Sequence, residues 1–127
     1  MSKKIVRTEK APLPVGPYNQ AVIIGNLVYL AGQISLDPET NQMVGSTVKE
    51  QTRCVLNNVK AVLEAAGSSL DKAVKATVFL KNMQDFADMN AVYSEYFKNE
   101  TAPARSTIEV ARLPKDALVE IEIVASI

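Results

Sequence analysis

The densest run of polar residues in the chain is Pro103-Ala104-Arg105-Ser106-Thr107-Ile108-Glu109-Val110-Ala111-Arg112, with Glu120-Ile121-Glu122 following it. Alternate residues of a strand share a face, so Arg105, Thr107 and Glu109 fall on one side of theirs. Glu120 and Glu122 likewise share a side of the neighbouring strand. An arginine at the mouth of a strand presents a planar fork of donors that suits a small carboxylate gripped through both oxygens. A glutamate nearby can orient and deprotonate a water for attack on an electrophilic carbon. The same residue types also make an ordinary cross-strand ion pair, and the pattern alone leaves both readings open.

Other polar positions invite two readings each. Tyr18 follows Gly16-Pro17 in a constrained loop, where its hydroxyl serves a pocket or its ring packs on the surface. Asn90 stands among apolar helical neighbours, as a hydrogen-bonding strut or as a contact to a ligand. Gly32 permits close backbone approach to a ligand, or accommodates a bulge. Cys54 is the only cysteine and lies in a helical pattern, where a small core hydrophobe is the plain expectation. The chain has no histidine, which excludes Ser-His-Asp and Cys-His nucleophile systems and zinc sites that need imidazole. No spacing supports a carboxylate-only Mg²⁺ or Ca²⁺ loop, and no phosphate loop, dinucleotide fingerprint or RNA-reading aromatic signature occurs. No metal is expected.

Composition narrows the class further. With 127 residues, 47% hydrophobic and 22% charged, the chain is expected to form one globular domain across its whole length. Fourteen basic residues balance fourteen acidic ones, so no field steers long polyanions, and nucleic acid is not the expected partner. The start is basic, with Lys3, Lys4 and Arg7, but lacks the apolar run of a secretory signal. No stretch approaches membrane-spanning length, so no membrane is expected. The expected location is the cytoplasm, or the mitochondrial matrix where an import segment has been removed.

The elements that must position these residues follow from period and punctuation. Ile5–Arg7 reads as a short strand and Ala11–Pro17 as a loop rich in proline. Ala21–Ile24 and Leu27–Ala31 form a hairpin across Gly25-Asn26, with Gly32-Gln33-Ile34 ending the second strand. Residues 35–46 make a polar connection. Thr47 and Glu50 have the form of a capping box, behind which Val48, Thr52, Val55, Leu56, Val59, Leu63 and Ala66 recur at the helical period until Gly67. Ala73–Leu80 reads as a strand. A second helix over about Asp85–Lys98, with Asp85 as N-cap, carries Phe86, Met89, Val92, Tyr93, Tyr96 and Phe97 on its apolar side. Ser106–Ala111 and Leu118–Ala125 are two further strands joined by a turn at Pro114-Lys115-Asp116.

The order β-β-β-α-β-α-β-β predicts an α+β fold, one mixed sheet with two helices packed on a single face. In the last strand Val119, Ile121, Ile123 and Ala125 meet the helices, while Glu120 and Glu122 face away. Leu27–Ala31 is apolar on both sides, and Val74, Ala76, Val78 and Leu80 face opposite Thr77 and Phe79. Two helices cover one face only, so a second copy of the chain is expected to cover the other.

Gly16-Pro17-Tyr18, Gly32-Gln33-Ile34, the run Asn57–Leu63, Lys75–Phe79 and above all Pro103–Ser106 through Ala111–Asp116 resemble the RidA/YjgF family of reactive-intermediate deaminases. The resemblance spans about Ala11 to Ala125. It implies a chorismate-mutase-like homotrimer with a pocket between each pair of neighbouring subunits. It also implies cofactor-independent hydrolysis of 2-imino acids, such as 2-iminopropanoate and 2-iminobutanoate, to 2-oxo acids and ammonia. On the matching positions Arg105 clamps the substrate carboxylate and Glu120 orients the attacking water. Tyr18 and Asn90 shape or support the pocket, and main chain near Gly32 and Thr107 lines it. Many members have serine where this chain has Ala31 and cysteine where it has Thr107, and the missing serine hydroxyl bears on substrate preference. Three alternatives stand beside the deaminase: a non-catalytic regulator binding small carboxylates, an endoribonuclease or translation inhibitor, and a chaperone-like interaction surface for which the sequence offers no discriminating feature.

Overall fold

The alternating and helical periods resolve, in a computed structural model that describes residues 2–127, into six strands and two α-helices in the expected order. These are β1 (Lys4–Val6), β2 (Ala21–Ile24), β3 (Leu27–Leu30), α1 (Val48–Ala65), β4 (Ala73–Leu80), α2 (Phe86–Tyr96), β5 (Ala104–Glu109) and β6 (Val119–Ser126). The strands form one mixed sheet in the order β1-β2-β3-β6-β4-β5. Only β4 and β5 pair parallel, with α2 as the crossover between them.

Local chemistry explains most boundaries. Gly25 takes φ 58° in the tight turn that pairs Ile24 with Leu27. Asn26 does not share that left-handed conformation. The capping box of α1 is complete: the Thr47 hydroxyl accepts from Glu50 N, and the Glu50 carboxylate accepts from Thr47 N. At α2 the expectation fails, because Asp85 makes no capping bond. A 3-10 turn over Met83–Asp85 precedes the helix, and Asn82 caps it by accepting from Gln84 N.

The core lies between the helices and one face of the sheet. Val119, Ile121, Ile123 and Ala125 are fully buried there, with Val55, Leu56, Val59 and Leu63 of α1 above them. Ala76, Val78 and Leu80 join this face. Val74 does not, because an irregularity between Ala73 and Lys75 breaks the alternation and leaves it exposed. The opposite face carries Ile5, Val22, Tyr29 and Val124 in one register row, with Phe79 and Ile108 in another. No element of the chain covers that face among the described residues. Cys54 also departs from expectation: it is half-buried on the flank of α1, its Sγ 3.5 Å from Leu36 O, rather than in the core.

The strand order overturns one reading outright. β5 and β6 are not neighbours, because β4 lies between them. An Arg105–Glu120 cross-strand ion pair is therefore impossible in this fold.

Candidate active site

Arg105 sits on β5, one of the two edge strands, in register with Ala76 of β4 and, beyond it, Ile123 of β6. Both partners are buried under the helices, so Arg105 rises from the helix face of the sheet and meets the side of α2. Its Nη1 donates to Asn90 Oδ1 at 2.8 Å. Its guanidinium carbon lies 4.5 Å from the centre of the Tyr93 ring and 5.5 Å from that of Phe86. One N–H of the fork is thereby occupied, and the others remain for a ligand. Thr107 stands on the same face, in register with Val78, and Glu109 next, where its carboxylate accepts from Met83 N at 2.8 Å.

Glu120 lies elsewhere. It pairs in register with Phe79 and, beyond it, Ile108, so it emerges on the face opposite Arg105. It is half-buried and makes no hydrogen bond or ion pair among the described residues. It lines a cleft of about 640 Å³ with Tyr18, Gly32, Ile34, Asn41 and Lys115. Burial pushes its carboxyl pKa above the ordinary value, and the charge of Glu122, two residues along the same face, pushes it the same way. The cleft is built by a bulge. From Tyr29 to Gln33 the chain advances four residues while β6 advances three, from Val124 to Ile121. The extra residue falls at Ala31-Gly32 and turns that backbone over the Glu120 side chain. A Cβ on Gly32 would overlap Glu120 Oε2 and come within 2.9 Å of its Cδ. Gly32 is required here for space, since its φ is not in the left-handed region. Gly32 thus accommodates a bulge and also permits a close approach, that of a carboxyl side chain.

The rest of the cleft wall is the 11–17 loop, and a buried residue holds it. Gln20 Nε2 donates to Thr8 O, Ala11 O and Pro12 O at 2.9, 3.3 and 2.8 Å, while its Oε1 accepts from Thr8 N at 2.8 Å. Tyr18 is half-exposed at the mouth of the cleft, its hydroxyl 3.4 Å from Val15 N. Lys115 reaches the cleft from a turn in which it and Asp116 both have φ 55°. Asp116 is anchored there by Lys81 at 2.9 Å, which also holds its carboxyl below the ordinary range.

The predicted residues thus fall into two groups. Arg105, Asn90 and Thr107 are together, and Tyr18, Gly32 and Glu120 are together. The structure does not bring one group to the other within a chain. Sequence reasoning missed Gln20, for which a lone polar residue at a strand start gives no signal. It also missed the part of Tyr93 and Phe86 beside Arg105. Their spacing from Asn90, three and four residues, does carry that signal, because it places all of them on one stripe of α2. A separate groove of about 500 Å³, between α1 and the 35–46 connection and lined by Arg53, Cys54 and Asn58, contains none of the predicted site residues. Among the described residues no cluster of His, Cys, Asp or Glu could hold a metal ion. No helix among them is long and apolar enough to cross a membrane.

Comparison with known proteins places this geometry. The family described as Endoribonuclease L-PSP matches residues 8–127. A RutC family protein of Pyrococcus abyssi is 56% identical over 125 residues, covering 98% of each chain. The 2-iminobutanoate/2-iminopropanoate deaminase of Escherichia coli K12 is 49% identical over 124 residues, covering 96% of each. The crystal structure of E. coli TdcF with bound serine superposes with a TM-score of 0.91 at 44% identity, covering 98% of each chain.

Proposed function

The chain belongs to the Endoribonuclease L-PSP family, the RidA/YjgF proteins, and from that premise we propose that it hydrolyses 2-imino acids to 2-oxo acids and ammonia. Its substrates are 2-iminopropanoate and 2-iminobutanoate, those named for the relative at 49% identity. The observation that carries the reading is Glu120, an unpartnered half-buried carboxyl whose pKa is raised and which stands in a cleft of about 640 Å³. A carboxyl moved toward neutrality both takes a proton from water and returns one to nitrogen efficiently. Serine, bound in the related TdcF structure, carries its carboxylate and its nitrogen on the same carbon, as a 2-imino acid does.

The chemistry then divides between the two groups of residues. The free N–H groups of Arg105 grip the substrate carboxylate, with Thr107 main chain beside it. Glu120 orients a water and accepts its proton as the water oxygen bonds to the carbon of the protonated imine and the C=N electron pair moves to nitrogen, leaving a neutral amino group. Glu120 returns that proton to the amino nitrogen, and ammonia leaves with the C–N bonding pair. The hydroxyl proton passes to the Glu120 carboxylate as the carbonyl forms. The imine carbon is already electrophilic, so positioning and proton handling suffice.

Arg105 and Glu120 stand on opposite faces of the sheet and two strands apart, roughly 10 Å in the hydrogen-bonding direction alone. A four-carbon substrate does not span that distance through a sheet. The reading therefore assigns the two groups at each site to different copies, in a homotrimer with one site between each neighbouring pair. The exposed apolar face supports it: Ile5, Tyr29 and Ile108 are each close to half exposed, with nothing among the described residues to cover them.

The test generates 2-iminobutanoate in situ with a dehydratase and follows its decay. Arg105→Ala should lose acceleration chiefly through KM, by about 10- to 100-fold for a charged hydrogen-bonding contact, and Glu120→Gln chiefly through kcat. Co-assembling the two impaired variants should restore activity at subsaturating substrate, because some sites then receive both wild-type halves. Full activity in either variant would refute the assignment. Saturable binding of 2-oxobutanoate with no effect on imine decay would make the protein a carboxylate-binding regulator instead.

A further inference from the structure

Arg105 needs more than a location to serve as a carboxylate fork. It stands on a free-edge strand, where a long flexible side chain would ordinarily sample solvent. Three residues of α2 prevent this. Phe86, Asn90 and Tyr93 follow one another at helical spacing along one stripe, and all three touch or face the guanidinium. The bond to Asn90 Oδ1 fixes one point of the planar group and leaves it free to rotate about that point. The Tyr93 ring, with the guanidinium carbon 4.5 Å from its centre, fixes the plane. Phe86, at 5.5 Å, adds a second and weaker face.

Tyr93 is itself immobile. It is 5% exposed, and its ring centre lies 4.6 Å from that of Phe97. Its Oη is buried and makes no hydrogen bond of ordinary geometry among the described residues; burial pushes its pKa up, and the nearby Arg105 charge pushes it the other way. The ring is fixed by packing, and its face is what it offers to Arg105.

We propose that Tyr93, assisted by Phe86, is the positioning residue that holds the Arg105 guanidinium in the plane from which it grips a 2-imino or 2-oxo acid carboxylate. The proposal rests on the reading of Arg105 as the carboxylate clamp. Pre-orienting the fork removes the ordering cost at the moment of binding, so the effect belongs to substrate affinity. Because a carboxylate is held alike in the ground and transition states, loss of the ring appears in KM and not in kcat.

The experiment measures 2-oxobutanoate affinity, together with KM and kcat for imine hydrolysis, in Tyr93→Phe, Tyr93→Leu, Phe86→Leu, Arg105→Ala and the double variant Arg105→Ala/Tyr93→Leu. Tyr93→Phe keeps the ring and should bind within about 2-fold of wild type, while Tyr93→Leu should raise KM about 5- to 20-fold at nearly constant kcat, as loss of a partly desolvated cation–π contact requires. Phe86→Leu should raise KM about 2- to 4-fold by the same argument at longer range. In the Arg105→Ala background Tyr93→Leu should cost no further affinity, because the two act as one unit. Wild-type KM in a folded Tyr93→Leu, full additivity in the double variant, or equal loss in Tyr93→Phe and Tyr93→Leu would each overturn the proposal. Should Tyr93→Leu fail to fold, unchanged KM in Phe86→Leu, whose ring is 37% exposed, overturns it instead. Wild-type affinity in Arg105→Ala is a different failure, since it removes the clamp itself.

Discussion

Gly32→Ala separates the chemistry of the cleft from the stability of the fold. A methyl group at this position overlaps Glu120 Oε2, lies 2.9 Å from Cδ and 3.2 Å from Cγ. The three nearest atoms all belong to one flexible side chain. Glu120 therefore yields by rotating about its own bonds, and the sheet stays as it is. The cost to folding is that of an unfavourable rotamer with slight overpacking, about 1–2 kcal/mol. For a chain of this size that lowers Tm by about 3–8 °C. Activity responds on another scale. A shift of about 1 Å in a positioned group costs about 100-fold in rate, and the Glu120 carboxyl must move at least that far to clear the methyl. The assay pairs thermal unfolding with kcat for imine hydrolysis, in Gly32→Ala alone and combined with Glu120→Ala. The single variant should stay folded and lose about 100-fold in kcat, while the pair should recover the lost stability and be no slower than Glu120→Ala alone. Undiminished kcat in Gly32→Ala would show that the observed position of Glu120 is irrelevant to turnover. Gross unfolding would show that the neighbour is not free to move.

Two further outcomes follow from the same cleft. The raised pKa of Glu120 means that the folded state holds a proton more tightly than the unfolded chain does. Stability contributed by this group is present below the unfolded glutamate pKa and is lost as pH rises through the folded one. Glu120→Gln removes that penalty, so its urea midpoint relative to wild type should climb as pH rises from below the ordinary glutamate range to above it; a difference constant with pH would contradict the shift. Gln20→Ala strips partners from three carbonyls and one amide, and should cost about 2–4 kcal/mol in urea unfolding while loosening the Tyr18 wall. A loss under about 0.5 kcal/mol would mean that water replaces those bonds without penalty.

Local structure was legible wherever a short-range rule operates without competition. Helix α1 follows from Thr47 and Glu50 at one end and an apolar stripe behind them, and every residue of the expected stripe is buried. The hairpin at Gly25-Asn26 and the alternation of β6 follow from equally local chemistry. Errors gathered where two local signals compete. Asp85 is a good capping residue, but Asn82 stands three residues earlier and captures the start of the turn, so Asp85 enters the helix without a capping bond. Val74 obeys the alternation on paper, and the irregularity beside it puts it on the wrong face.

The site was half legible for a deeper reason. Which side of its own strand a residue occupies depends only on parity, and Arg105, Thr107 and Glu109 were read correctly by parity alone. Whether two strands are neighbours depends on where each finds its edges covered. Consecutive strands usually pair, and that rule pointed to β5 beside β6. The crossover through α2 instead lays β5 parallel against β4, and β6, apolar at every second position, takes the interior place between β3 and β4. That exchange converts an apparent ion pair into two groups on opposite faces. Arg105 is held by a helix and Glu120 by a bulge, with a sheet between them. A chain so arranged does not bring the two groups to one place by itself, and in the proposed reading the apolar face it leaves bare is the surface through which another copy supplies the other half.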